Sequence, residues 1–225
     1  MKTLRFARPL VFAVIVIAVA ASLQSAKAVA KPGAQSRAPV FWIWDDSIVT
    51  GESNLVRTPN GISAVFHTSG LQPGHAMTLW FIVFNNPSAC ASTPCSVADT
   101  VNPATGFDFL AGGGHVTGNG ARTTIGGHLA AFDNAGSGHL EYNETFGTEY
   151  PAVGLTSPYG AEVHLALHSH GPAQTGQMLV EQISTFLGGC VLPFLGDEAG
   201  FATGFSDIPL TDGECSTIQY SVHQP

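Results

Sequence analysis

Residues 161–171 read AEVHLALHSHG, and a strand period of two sorts them into two kinds of chemistry. Glu162, His164, Ala166, His168 and His170 point one way, and Val163, Leu165, Leu167 and Ser169 the other. One face suits a core. The other carries three imidazoles and a carboxylate, groups able to bind a metal ion or move a proton. His168 and His170 project side by side about 6.6–7 Å apart at the backbone, so both rings can converge on one ion. Imidazole suits zinc or copper, which makes these the candidate cofactors. His164 lies about 13 Å from His168 along the strand, too far to join the same ion without a bend. Further ligands must come from neighbouring strands or loops. His67, His75, His115 and His128 are candidates, with Glu162 for a second ion. The plainer alternative is a solvent face of histidines that binds nothing.

Recognised catalytic patterns are missing from the chain. It has no GxSxG, no HExxH, no phosphate-binding Gly-Lys loop and no dinucleotide fingerprint. Gly112-Gly113-Gly114 precedes no helical pattern, which argues against a phosphate cradle. A Gly-His dipeptide recurs at His75, His115, His128 and His139, too irregularly for a structural repeat. Phe41, Trp42, Trp44, Trp80, Phe81 and Phe84 lie in strand-like segments and read as core. Asn143-Glu144-Thr145 matches a glycosylation acceptor in a eukaryotic secretory pathway.

Residues 1–28 read as a secretory signal: Lys2, Arg5 and Arg8, then an apolar run, then Ala26-Lys27-Ala28 as a small-x-small cleavage site. Ala28-Val29-Ala30 is a second cleavage candidate, and an uncleaved anchor the alternative. The expected product is secreted or periplasmic, with no membrane span after signal removal. Cleavage leaves Lys31, Arg37, Arg57 and Arg122 against sixteen acids; four minus sixteen gives −12. Such a surface repels phosphate backbones and excludes nucleic acid as a partner, while attracting cations. The expected partner is an extracellular or cell-surface molecule.

Cys90, Cys95, Cys190 and Cys215 form an even set in an oxidising compartment, which points to two disulfides. Three pairings are open; the sequence-local one joins Cys90 to Cys95 and Cys190 to Cys215. On a chain-entropy argument these loops contribute about 2 and 3.5 kcal/mol, so they staple rather than create the fold. A metal-thiolate site is the rival reading, although the spacing is not CxxC.

These residues need strands to position them. After a flexible leader over 29–38, strands are expected at 39–44, 62–68 and 76–84, the last covered on both faces. Residues 85–102 read as a loop. Segments 107–117 and 121–129 read as a hairpin about Asn119-Gly120. Further strands are expected at 139–145, 161–170 and 218–223, with 179–186 either strand or helix and 194–213 irregular. Many short strands with Gly and Pro turns predict a single all-β domain over 39–225. Its expected form is an antiparallel two-sheet sandwich of Ig-like type, with a β-barrel as the alternative.

The blocks GLQPGHAMTLWFIVFNNP (70–87), GGHVTGNG (113–120), AEVHLALHSHGPAQTG (161–176) and EQISTFLGGC (181–190) resemble an exported family of uncharacterised proteins. More distantly, Leu71–Gly74 and His168-Ser169-His170-Gly171-Pro172-Ala173 are similar to the pattern of CHRD domains. That resemblance implies an extracellular β-sandwich module without catalysis. A fainter similarity is to the copper-zinc superoxide dismutase sandwich, where a Gly-Leu-x-Pro-Gly turn precedes a histidine-bearing strand. Here that strand reads MTLWFIVF and carries no histidine. Two functions follow. One is an exported, disulfide-stapled, non-catalytic binding or structural module. The other is a zinc- or copper-binding protein built on His168 and His170, a carrier or a metalloenzyme.

Overall fold

Eight strands hydrogen-bond into one sheet in this computed structural model, which describes residues 33–120, 122–190 and 215–225. The expected signal at 1–28 and irregular stretch at 194–213 lie outside the described residues. The strands are β1 (Ala34–Trp42), β2 (Asp45–Thr58), β3 (Gly61–Ser69), β4 (His75–Phe84), β5 (Phe107–Val116), β6 (Arg122–Ala130), β7 (Glu162–Pro172) and β8 (Ser216–His223). Their order is β5-β4-β7-β8-β1-β2-β3-β6, every neighbouring pair antiparallel. The all-β, antiparallel expectation holds. In place of two stacked sheets there is one sheet curled until it nearly closes into a barrel, the form the sequence left as the alternative.

Closure corrects the expected hairpin. β5 ladders with β4 and β6 with β3, so the two strands around Asn119-Gly120 are the outer edges of the sheet. They meet across the seam as bare backbone: a Cβ placed on Gly113 would stand 2.6 Å from the Gly126 carbonyl oxygen. Glycine there permits an approach that any side chain would block.

Two other expectations shift. β1 starts at Ala34, inside the stretch expected to be flexible, because its backbone ladders with β2 from Ala34 opposite Arg57 onward. Residues 139–145, expected as a strand, lie in helix α1 (Gly138–Phe146). Ser137 caps it by accepting from the His139 N–H, and left-handed Gly147 ends it. Its buried residues His139 and Tyr142 recur at helical spacing. The ambiguous stretch 179–186 is largely helix α2 (Gln177–Ser184).

Packing splits in two. Inside the curled sheet lie Leu55, Phe66, Leu79, Phe81, Val163, Leu165 and Leu167. Outside it, Trp80, Phe84, Phe107, Phe109, Tyr142, Ala166 and Phe186 form a second cluster. β7 is therefore covered on both faces, and the side expected to meet solvent is the underside of an outer layer. α2 rests so tightly on β5 that a Cβ on Gly114 would strike the Ile183 carbonyl oxygen.

Candidate metal centre on the outer face of β7

The imidazole-bearing face of β7 divides into two groups. At its start, Glu162 Oε1 lies 2.6 Å from His164 Nε2 and accepts the Cys95 N–H at 2.6 Å, while Oε2 accepts from Gln224 Nε2 at 2.8 Å. Burial alone would raise the Glu162 carboxyl. The His164 hydrogen bond and charge, with the Cys95 and Gln224 donors, hold it below the usual range. This pair is internally satisfied.

At the other end, His168 and His170 are 2% and 1% exposed, so the expected solvent-facing pair is sealed inside the protein. Their rings meet edge to face at 4.9 Å, and His168 lies against Phe186 at 4.4 Å. Neither ring nitrogen of His168 has a hydrogen-bond partner. Each such orphaned buried group costs about 1–3 kcal/mol. Burial, then the neighbouring His170, push its pKa well below the ordinary value.

His170 is fully engaged. Its Nδ1 lies 2.7 Å from the Gly188 carbonyl, which only accepts, so Nδ1 carries the proton. Nε2 then accepts from the Thr78 hydroxyl at 2.8 Å, and Thr78 Oγ1 accepts from Trp80 Nε1–H at 2.8 Å. Burial lowers its pKa to about 4, against the pull of the Gly188 carbonyl. Both imidazoles are neutral, the form in which they can act as ligands.

Cys190 Sγ and Cys215 Sγ lie 3.8 and 3.7 Å from His170 Nδ1. One donor atom from each of His168, His170, Cys190 and Cys215 falls within 4.8 Å of all the others. The cysteines are joined, as are Cys90 and Cys95, so the sequence-local pairing is the one present. Local chemistry fixes both ends. Cys215 directly precedes β8, where Ser216 pairs with Ser169 between the two histidines. Cys190 closes the turn after α2, whose Phe186 and Leu187 N–H groups both donate to Glu141 of α1 at 2.7 Å. Gln182 of α2 donates to the carbonyls of His170 and Pro172 at 3.2 Å.

The remaining candidates stand apart. His115 is on the exposed end of β5. His128 lies 2.9 Å from Ser63 Oγ and His67 2.8 Å from Thr124 Oγ1, on the exposed β3–β6 face. His75 begins β4. Asn143 of the glycosylation motif spends its amide on the Tyr150 carbonyl at 2.8 Å. Sequence reasoning missed Cys190, Cys215 and Thr78 as neighbours of the histidine pair, and Glu141 as the clamp on the turn that carries Cys190. Only strand register brings Cys215 beside His170, and register is not written in the spacing of cysteines.

Comparison with family models, with curated proteins and with solved structures finds no match to this chain. Among the described residues, no helix is long and apolar enough to cross a membrane.

Proposed function

We propose that this is an exported metal-binding protein that holds one zinc(II) or copper(I) ion between His168, His170 and the sulfurs of Cys190 and Cys215, as a non-catalytic carrier. The single observation behind this reading is the buried imidazole of His168, with both nitrogens unpartnered, set among three other donors within 4.8 Å. A bound ion would use a lone pair that otherwise only costs stability. Two imidazoles and two thiolates make the tetrahedral N2S2 set preferred by zinc and tolerated by copper(I). His170 would bind through Nδ1 and move its proton to Nε2, where Thr78 Oγ1 accepts it and orients the ring. Export is supported by the signal-like segment 1–28 and the disulfides, and the −12 charge that cleavage would leave favours cations.

The test is metal stoichiometry on purified mature protein in its dithiol form, titrated with zinc(II) and with cobalt(II) as a spectroscopic probe. One equivalent bound, with thiolate-to-cobalt charge-transfer absorption that His168→Ala/His170→Ala abolishes, supports the proposal. A dithiol protein that stays folded and takes up no ion overturns it.

A further inference from the structure

We infer that the Cys190–Cys215 bond is a redox switch on this site: exchange with a dithiol opens the pair and admits the ion, and re-oxidation expels it. The inference rests on the metal-binding reading above and adds its regulation.

Position comes first. A disulfide that served only to staple two segments would need no imidazoles around it, yet this one lies against a pair of neutral histidines with one ring unsatisfied. A disulfide sulfur is a poor ligand, whereas the thiolate is the metal-binding form. In the bonded state the four-donor set is therefore incomplete, and opening the bond completes it.

Both cysteines are anchored by more than that bond. Cys215 is held by the ladder of β8 with β7, and Cys190 by the turn that Glu141 clamps from α1. Further anchors are the Cys190 N–H to the Leu187 carbonyl at 3.0 Å and the Gly188 N–H to Thr185 Oγ1 at 2.9 Å. Reduction leaves two thiols standing beside the imidazoles instead of releasing them. The pair also has an approachable end, since Cys190 is partly exposed and Cys215 buried.

The steps balance. A thiolate of the dithiol attacks Cys190 Sγ, the Sγ–Sγ bond breaks and Cys215 leaves as a thiolate beside His170. The second thiol of the reductant then displaces Cys190, and the reductant departs as its own disulfide, having supplied two electrons. Loading sends the remaining thiol proton to solvent as the ion takes both thiolates. On the return path a disulfide oxidant accepts the two electrons, the Sγ–Sγ bond re-forms and the ion leaves to solvent. Cys90–Cys95 takes no part: among the described residues no group of three or more metal-ligating side chains includes it.

The experiment compares zinc(II) affinity of the mature protein in its oxidised form and after mild dithiol reduction and removal of the reductant. Differential alkylation with mass spectrometry reports which cysteines opened. The expected result is about a hundredfold or greater gain in affinity on reduction. Oxidation should then release the ion as Cys190–Cys215 re-forms, and Cys90→Ser/Cys95→Ser should retain the whole response. Equal affinity in both forms would overturn the switch while leaving an imidazole-based metal site standing. Loss of the β-sheet circular dichroism on reduction would also overturn it, because the thiols would not be held. Absence of binding in either form would overturn the metal reading itself.

Discussion

Cys90–Cys95 closes a short ring against the aromatic cluster of Trp80, Phe84 and Phe107, whereas Cys190–Cys215 joins the turn after α2 to the start of β8 beside two buried imidazoles. The same covalent bond sits in two chemistries. Around the first, Cys95 lends its N–H to Glu162 and its sulfur packs as an apolar atom. Around the second, two buried imidazoles able to bind a metal ion stand beside the sulfurs. On the metal-binding proposal, the two bonds differ in what packs on them, which their loop lengths do not reveal.

Metal uptake should break the symmetry most sharply. In the dithiol form, Cys190→Ala/Cys215→Ala is expected to abolish stoichiometric zinc binding, while Cys90→Ala/Cys95→Ala keeps one equivalent; elemental analysis after gel filtration decides. Stability should separate the bonds less strongly. In urea unfolding without metal, loss of Cys190–Cys215 is expected to cost about 3.5 kcal/mol and loss of Cys90–Cys95 about 2 kcal/mol. A reversed order would mean that the enclosed loops are not what the bonds restrain.

The interior of the curled sheet gives a reference region away from both disulfides. There His223 Nε2 lies 2.8 Å from Ser53 Oγ and Nδ1 lies 2.8 Å from Ser36 Oγ. Burial, with the charges of Arg57 and His164, lowers its pKa to about 4. The unfolded chain binds this proton near pH 6.5 and the folded one only near pH 4. The contribution is complete above pH 6.5 and is lost as pH falls toward 4, on the order of 3 kcal/mol. His223→Gln should flatten that part of the pH–stability curve in urea titrations at pH 7.5 and 4.5. An unchanged slope would assign the acid sensitivity elsewhere.

The smallest expected effect comes from the clamp beneath Cys190. Burial raises the Glu141 carboxyl, opposed by the Phe186 and Leu187 N–H groups that it accepts. Glu141→Gln should cost about 1–2 kcal/mol and weaken zinc binding by roughly tenfold, whereas Glu144→Gln should do neither. Isothermal titration of both variants would show whether the turn, rather than the bond, positions Cys190.

Much of the strand pattern was legible. β3, β4, β6 and β7 follow their apolar runs to within a residue or two, because alternation and β-branched residues report burial directly. No strand was expected over 45–58, where β2 lies: it opens Asp-Asp-Ser-Ile-Val-Thr-Gly without alternation, and the ladders to β1 and β3 hold it instead. α1 was misread because His139 to Thr145 lacks a long apolar period, and two caps outweigh that weak pattern. In the site, the His168–His170 pair was legible from spacing alone. Its burial was not, because covering depends on how α2 and Phe186 fold back over the strand, which no periodicity reports.

By itself, the sequence determined what local rules decide: the strand-rich class and two neighbouring imidazoles on one face of β7. Of the three open cysteine pairings, the structure selects the sequence-local one. The tertiary structure alone decided that the sheet curls instead of splitting in two, because glycines let β5 and β6 meet as bare backbone. It alone placed Cys190 and Cys215 against His170, because register and helix packing join residues that no periodicity connects.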